Sequence, residues 1–278
     1  MKNVPILAGV AGWPVTYSLS PVIHSTWAHR ANINGYYIPI AIEPTEDDFR
    51  AVIAGLRKVG FAGINVTKPH KENALRIADD ASGTAKSAGA ANMLTFREDH
   101  IYADNSDVVG FANAVKDHTD QPGDHGVILG AGGAARGVIL ALKELGIQKI
   151  TITNRTREKA EALAAEFGLA VVDWDKRSEV LDGADLLVNT TSLGMTGQPP
   201  LEIDLSPLKS KSVIADIVYS PLETPLLRAA KNHHTIDGLA MLMHQAVPGF
   251  EQWFRGNAKV DEDLKNILLK EIKRRETT

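Results

Sequence analysis

The sequence predicts a two-domain α/β protein whose second domain is built on a doubly wound parallel sheet. Three observations carry this. The 278 residues amount to nearly two domains of about 150 residues each, enough to bury a core in both. Short apolar runs alternate with segments of helical period almost from end to end, the pattern of strands joined by helices in a mostly parallel arrangement. A glycine-rich turn over residues 130–136 sits between an apolar strand and a helix inside a strand–helix–strand unit.

In chain order, residues 6–10, 36–42, 63–66 and 91–96 are short apolar runs that read as strands. Residues 46–58 read as a helix capped by Thr45. The apolar start, 1–15, is interrupted by Pro5 and Pro14 and lacks a basic leader, so it reads as a first strand rather than a signal peptide. Residues 108–115 read as a helix, and the Gln121-Pro122-Gly123 stretch within 120–124 as a turn. Beyond it come a strand at 127–129, the glycine turn at 130–136, a helix at 137–145 and a strand at 149–153. Strands at 186–189, 213–218 and 235–236 extend the sheet. Helices at 239–254 and 261–274 are too many for one sheet, so they are expected to pack back on the first unit. That gives a discontinuous domain, 1–106 plus 241–278, and an inserted one, 107–240.

Composition narrows the function. With 44% hydrophobic and 23% charged residues the chain is an ordinary globular protein, neither disordered nor fibrous. Thirty basic against 34 acidic residues leave a formal charge of −4, so no global positive field points to nucleic acid or an anionic membrane. No run of about 20 apolar residues suggests a membrane span. The absence of cysteine excludes a disulfide framework, a thiolate metal site and a cysteine nucleophile. The nine histidines show no ligand spacing, so no metal is expected, and His233-His234 reads as surface loop. The expected partner is a small molecule and the expected compartment the cytoplasm.

Gly130-Ala131-Gly132-Gly133-Ala134-Ala135 fits the dinucleotide fingerprint, in which the turn lets a pyrophosphate approach backbone amides at a helix start. Where NAD binders place an acidic residue, about 20 residues on, this chain has Asn154-Arg155-Thr156. A guanidinium there suits a ribose 2′-phosphate, which favours NADP. The first unit offers Asn65-Val66-Thr67-Lys68-Pro69-His70-Lys71 at the end of a strand, where open α/β sheets bind ligands. Lys71 opens the next helix, where the positive end of the dipole opposes a second positive charge, a setting for an acid–base lysine. Lys68 reads as a solvated surface charge and His70 as packing at the helix start or as surface. Ser18-Leu19-Ser20-Pro21 and Asp104-Asn105-Ser106-Asp107 are further polar sets that serve equally as helix caps.

These motifs resemble the shikimate dehydrogenase family. The resemblance rests on Gly12-Trp13-Pro14-Val15 leading to Ser18-Leu19-Ser20-Pro21 and His24, the run from Asn65 to Lys71, Gly89-Ala90-Ala91-Asn92 and Asn105-Ser106-Asp107. It continues through the glycine turn, Asn154-Arg155-Thr156, the run from Asn189 to Met195, Asp216-Ile217-Val218-Tyr219 with Thr224-Pro225-Leu226, and Asp237-Gly238-Leu239-Ala240-Met241-Leu242 with Gln245.

The resemblance implies a Rossmann-type NADP-binding domain beside a substrate domain. The implied reaction is reversible NADPH-dependent reduction of 3-dehydroshikimate to shikimate, a step of chorismate and aromatic amino acid biosynthesis. It implies Lys71 and Asp107 as the acid–base pair, and Ser18, Ser20, Asn65, Thr67, Asn92, Tyr219 and Gln245 as substrate residues. Gly130, Ala131, Gly132, Gly133, Ala134, Asn154, Arg155, Thr156, Thr190, Ser192, Met195, Ile217, Gly238 and Met241 would hold NADP.

Three positions depart from the family pattern: Tyr17 for a common His, Ser106 for Thr and Met93 for Thr. They bear on substrate preference rather than reaction class. The competing readings are a dual quinate/shikimate dehydrogenase and a non-catalytic NADP-sensing regulator. Whether the chain forms a homodimer is left open by the sequence, and the basic run 265–275 reads as a solvated helix face.

Overall fold

The computed structural model describes residues 4–276, so the first three residues of the expected opening strand and the last two of the chain lie outside the described residues. The chain divides into two compact units, Met1–Ser106 with Gln245–Thr278, and Asp107–His244.

The first unit runs β1 (Ile6–Gly12), α1 (Ser20–Arg30), β2 (Gly35–Ala41), α2 (Glu46–Lys58), β3 (Phe61–Val66), α3 (Lys71–Ile77), β4 (Asp80–Ala81), α4 (Gly83–Ala88), β5 (Met93–Arg97) and β6 (His100–Asp104). Its sheet has the order β2-β1-β3-β5-β6-β4. The sheet is mixed rather than mostly parallel: β1 runs parallel to β2 and β3, but β5 is antiparallel to both β3 and β6. The reason is the two-residue turn at Glu98 and Asp99, which folds β5 straight back into β6, with Glu98 at φ 45°. Helix α2 forms where expected. The Thr45 side chain accepts from Asp48 N at 3.1 Å, acidic residues fill the first turn and Arg57 and Lys58 the last, in keeping with the helix dipole. Its Phe49 and Ile53 pack with Ile64 and Leu94 of the sheet and with Ile42 just past β2.

The second unit runs α5 (Asp107–Lys116), β7 (His125–Leu129), α6 (Gly133–Glu144), β8 (Lys149–Thr153), α7 (Arg157–Phe167), β9 (Ala170–Val171), β10 (Leu186–Asn189), β11 (Val213–Asp216), α8 (Pro225–Ala229) and β12 (His234–Ile236). All its strands are parallel, in the order β12-β11-β10-β7-β8-β9. This is the doubly wound arrangement, and its order reverses between β7 and β10, the switch point at which such sheets bind ligands. Both faces are covered, which is why the strands read as continuous apolar runs. Ile128 and Val188 face Phe111 of α5 and Val138 of α6, while Val127 and Leu187 face Leu181 and Leu226. Helix α6 begins at Gly133, four residues before the sequence pattern placed it, because glycine weakens the helical signal over the first turn.

Helix α9 (Gly238–Phe254) begins in this unit and ends in the first, the division falling between His244 and Gln245. Helix α10 (Glu262–Glu276) then closes the first unit. There Trp27, Tyr37, Phe250, Trp253 and Phe254 surround the His24 ring.

Candidate active site

In the first unit the polar residues gather at the carboxyl ends of β1 and β3. Asn65, at the end of β3, is buried. Its Oδ1 accepts from the Tyr37 hydroxyl at 2.8 Å, and its Nδ2 donates to the Asn92 carbonyl at 3.2 Å. Tyr37 is itself held by the buried His24 ring, stacked on it with centroids 3.9 Å apart. Neither His24 ring nitrogen has a hydrogen-bond partner among the described residues, and burial pulls its pKa down to about 3, so the ring is neutral.

Asn92 organises the next layer. Its Oδ1 accepts from Ser106 N at 2.8 Å, and its Nδ2 donates to Ser106 Oγ at 3.1 Å and to Gln245 Oε1 at 3.2 Å. The Ser106 hydroxyl donates to the Gln245 carbonyl at 2.8 Å, which ties the end of β6 to α9. With its carbonyl end taken by Asn92, Gln245 presents its amide NH2 as a donor. Thr67 N bonds Ala11 O at 2.8 Å, and Ala91 N bonds the Lys71 carbonyl at 2.9 Å, so the strand end, the start of α3 and the Asn92 segment are pinned together. Lys71 is half-buried, whereas Lys68 is exposed. His70 is fully buried, stacked on Phe49 and bonded to Ile42 O at 3.1 Å, so of its two expected settings, packing or surface, it takes packing. Ser20, the first residue of α1, is buried and its N bonds Ser18 Oγ at 3.2 Å, which sets the two serines side by side at the helix start.

In the second unit the turn after β7 lies at the switch point. Gly130 has φ 104°, and a Cβ on it would come within 2.7 Å of Thr190 Oγ1, so only glycine fits. Thr190 in turn donates to Leu129 O at 2.8 Å, joining the ends of β7 and β10. Gly132 and Gly133 are exposed, with no atom within 4 Å of where a Cβ would project. The amino end of α6 has no side-chain cap and no acidic residue in its first turn, so its amides and positive dipole end are open to an anion. Ala131 N is taken by Asn154 Oδ1 at 3.1 Å, and Asn154 Nδ2 donates to Thr156 O at 2.7 Å. Arg155 is exposed and has no ion-pair partner among the described residues. Arg157, by contrast, is spent on Glu161 and Asp173. An open amide cradle and a free guanidinium at the next strand end fit a pyrophosphate and a ribose phosphate.

Buried Asn189 and Asp216 close β10 and β11 and hold the loops beyond them. Asn189 Nδ2 donates to Asp216 Oδ1 at 2.9 Å, and its Oδ1 accepts from Thr191. Asp216 also accepts from Thr224 Oγ1 at 2.7 Å and Val218 N at 3.1 Å. Burial outweighs these bonds and lifts the Asp216 carboxyl to about 6. Ile217 and Val218 carry the chain toward half-buried Tyr219, and a Cβ on Gly238 would lie 2.5 Å from Ile217 O, so α9 starts hard against this segment. Met195 and Met241 are half-buried and Ser192 exposed.

Ser18, Ser20, Asn65, Thr67, Lys71, Asn92 and Gln245 therefore share the first unit, while Asp107, Tyr219 and every candidate cofactor residue belong to the second. Sequence reasoning gave no role to Tyr37, His24, Asn189 or Asp216, whose hydrogen bonds and stacking hold the candidates. On the last helix, Lys270, Lys273 and Arg274 are exposed as the basic run suggested, but the contact made by Arg275 was not foreseen. Leu264, Leu268 and Ile272 of α10 are buried, and Arg275 donates to main-chain carbonyls rather than facing only solvent. Among the described residues no helix is long and apolar enough to cross a membrane, and no group of three or more His, Asp or Glu residues could hold a metal.

Two stretches of the chain match family models. Residues 10–94 match the shikimate dehydrogenase substrate binding domain, and residues 111–199 match shikimate / quinate 5-dehydrogenase. The chain belongs to the shikimate dehydrogenase family. Within it, the NADP(+) shikimate dehydrogenase of Acidiphilium cryptum is 48% identical over 261 residues, covering 93% of this chain and 94% of that protein. A shikimate dehydrogenase of Thermus thermophilus, solved with NADP(H) and shikimate, superposes with a TM-score of 0.84 at 31% identity, over 97% of this chain and 99% of that one. The quinate dehydrogenase of Corynebacterium glutamicum, solved with NAD, gives 0.89 at 29% identity, over 96% and 99%. The shikimate dehydrogenase fold is thus shared over nearly the whole chain.

Proposed function

We propose that this chain is a cytoplasmic enzyme that catalyses the reversible, NADPH-dependent reduction of 3-dehydroshikimate to shikimate. The observation that carries the reading is the match to an NADP(+) shikimate dehydrogenase across 93% of the chain. The open amide cradle and the free Arg155 support its cofactor half.

In this reading the segment 1–106 with the end of α9 and α10 binds substrate, and the inserted unit binds NADP. The amides of Gly132, Gly133 and Ala134, with the positive end of α6, hold the pyrophosphate. Gly130 and Ala131 shape the turn, while Asn154, Arg155 and Thr156 take the adenosine ribose and its 2′-phosphate. Thr190, Ser192, Met195, Ile217, Gly238 and Met241 line the rest of the cofactor. When bound, NADPH supplies the hydride that the carbonyl carbon receives.

The chain's own residues bind the acid and move the proton. The hydroxyls of Ser18 and Ser20 donate to its carboxylate, and Asn65, Thr67, Asn92, Tyr219 and Gln245 hold the ring oxygens. Lys71 and Asp107 serve as one proton-transfer pair: they give the carbonyl oxygen its proton in reduction and take it back from the alcohol in oxidation.

The test is initial rates of reduced-cofactor formation with shikimate and quinate crossed against NADP and NAD. Turnover of shikimate with NADP, with quinate and NAD at least about tenfold less efficient, is the expected result. Comparable quinate turnover would move the chain to the dual-substrate reading, which the family model's inclusion of quinate dehydrogenases keeps in view. No rate in any combination would overturn the enzymatic reading.

A further inference from the structure

The residues that the proposed function gives to the substrate's carboxylate, Ser18 and Ser20, follow a loop between β1 and α1 that is largely exposed. Trp13, Pro14, Thr16 and Tyr17 all face solvent, with Tyr17 74% exposed, and only Val15 and Leu19 are buried. The first half of the loop is tied to the segment after β3 by Trp13 N on Lys68 O at 3.0 Å. The second half has a local turn, Ser18 N on Val15 O at 3.1 Å, and, among the described residues, a long-range tie to one side chain. Arg275, near the end of α10, donates from Nη1 to Tyr17 O at 2.9 Å and reaches Ser18 O at 3.4 Å.

Arg275 is aimed by its own helix. One turn earlier, Glu271 accepts from Arg275 Nε at 2.7 Å and from Arg274 at 2.8 Å, and these two guanidinium partners hold its carboxyl down at about 2. The fork is therefore fixed at one edge by a carboxylate that stays ionised, leaving the other edge for the loop. The helix behind it is anchored to α1: Leu264, Leu268 and Ile272 are buried, and Arg30 pairs with Asp261, whose carboxylate also caps α10 by accepting from Leu264 N at 2.9 Å. Both stretches matched by the family models end well before α10.

We propose that Arg275 is a positioning residue for substrate binding. It clasps the Tyr17 and Ser18 carbonyls so that the Ser18 and Ser20 hydroxyls are set for a carboxylate before the ligand arrives. The inference rests on the reading of Ser18 as a carboxylate-binding residue. The contact is to main chain, so it works whatever side chain stands at position 17. Without the clasp the loop samples other conformations, and binding of the acid must supply the ordering. The cost falls on ground state and transition state alike, so it appears in KM for the acid and not in kcat.

The experiment measures steady-state kinetics and thermal stability of Arg275→Ala, Arg275→Lys, Glu271→Gln and Ser18→Ala in the full chain. Arg275→Ala should raise KM for shikimate about tenfold, the scale of one charge-assisted hydrogen bond, with kcat and KM for NADP unchanged. Arg275→Lys keeps the charge but not the fork and should recover part of the loss. Glu271→Gln should move KM in the same direction by less. A lowered melting temperature with unchanged KM in Arg275→Ala and Arg275→Lys would reduce the clasp to a structural tie and overturn the proposal. If Ser18→Ala raises KM and Arg275→Ala does not, only the clasp is lost; if Ser18→Ala leaves KM unchanged, the reading of Ser18 fails and takes the clasp with it.

Discussion

At the scale of single residues, the first unit spends buried polar groups on orienting other polar groups. Tyr37 shows this most plainly: its ring is fixed by the stack on His24 and its hydroxyl has Asn65 Oδ1 as acceptor at 2.8 Å. Tyr37→Phe keeps the stack and deletes only the hydroxyl, leaving a buried carbonyl without that donor. Such a loss costs about 1–3 kcal/mol. The variant should fold with a lower melting temperature and bind shikimate more weakly, because Asn65 is freed to turn its amide, while NADP binding stays as it was. A titration of both ligands against the purified variant checks this. Tyr37 was not legible as a functional residue. On the sequence it is one aromatic residue of an apolar strand, and the alternation that puts it inside says nothing of what its hydroxyl meets. Asn65 and Lys71 stand out as candidates in the sequence because their motif ends a strand, where a dense polar run has few structural uses.

At the scale of elements, the turn from β7 into α6 separates two kinds of glycine that the fingerprint alone treats alike. Gly130 is required by its φ of 104° and by Thr190 beside it. Gly132 has extended backbone, φ −90° and ψ −174°, and open space where a Cβ would go, so nothing in the fold demands glycine there. Gly132→Asp would cap α6 and place a carboxylate at the positive dipole end, worth a few tenths to about 1 kcal/mol of added stability. The same carboxylate would stand where the proposed pyrophosphate sits, and like charges about 4 Å apart repel by about 4 kcal/mol at an effective dielectric of 20. The variant should therefore melt no lower than the parent yet bind NADP at least about a hundredfold more weakly, as calorimetry and a thermal melt would read together. The early start of α6 was hidden because the residues that open an anion site are poor helix formers. The β5–β6 hairpin was hidden because its turn uses Glu98 and Asp99 rather than an Asn-Gly or Asp-Gly pair. The clasp from α10 was hidden because Arg275 and Tyr17 stand 258 residues apart, beyond any local pattern.

At the scale of the whole molecule, His24 in the first unit and Asp216 in the second are buried groups whose titrations act against each other. His24, in the first unit, has its pKa lowered from 6.5 to about 3 by burial. It therefore contributes stability that is full above pH 6.5 and is lost as pH falls, because the unfolded chain takes up the proton first. Asp216, in the second unit, is raised from 3.8 to about 6, again by burial. Its contribution is full below pH 3.8 and is lost as pH rises through 6, because the folded protein holds the proton longer. Between about pH 4 and 6 each contributes a slope of about 1.4 kcal/mol per pH unit, with opposite signs. In a cooperative unfolding transition the two cancel, and the parent protein should show little dependence on pH from these groups in that window. Asp216→Asn, in which the Thr224 hydroxyl can turn to accept, removes one side of the balance, so its stability should fall steadily as pH drops from 6 to 4. His24→Phe, which keeps the ring stack on Tyr37, removes the other and should make stability rise over the same range. Urea melts of the three proteins at pH 4, 5 and 6 decide it: parallel pH profiles would mean that neither group is held in the state its burial implies. The fluorescence probes are already in place, since Trp13, Trp27 and Trp253 report on the first unit and Trp174 on the second. If the units unfold separately, the cancellation disappears even in the parent. The His24 contribution then weakens the three-tryptophan unit toward acid while the Asp216 contribution strengthens the single-tryptophan unit, and each substitution should change the slope of its own unit alone.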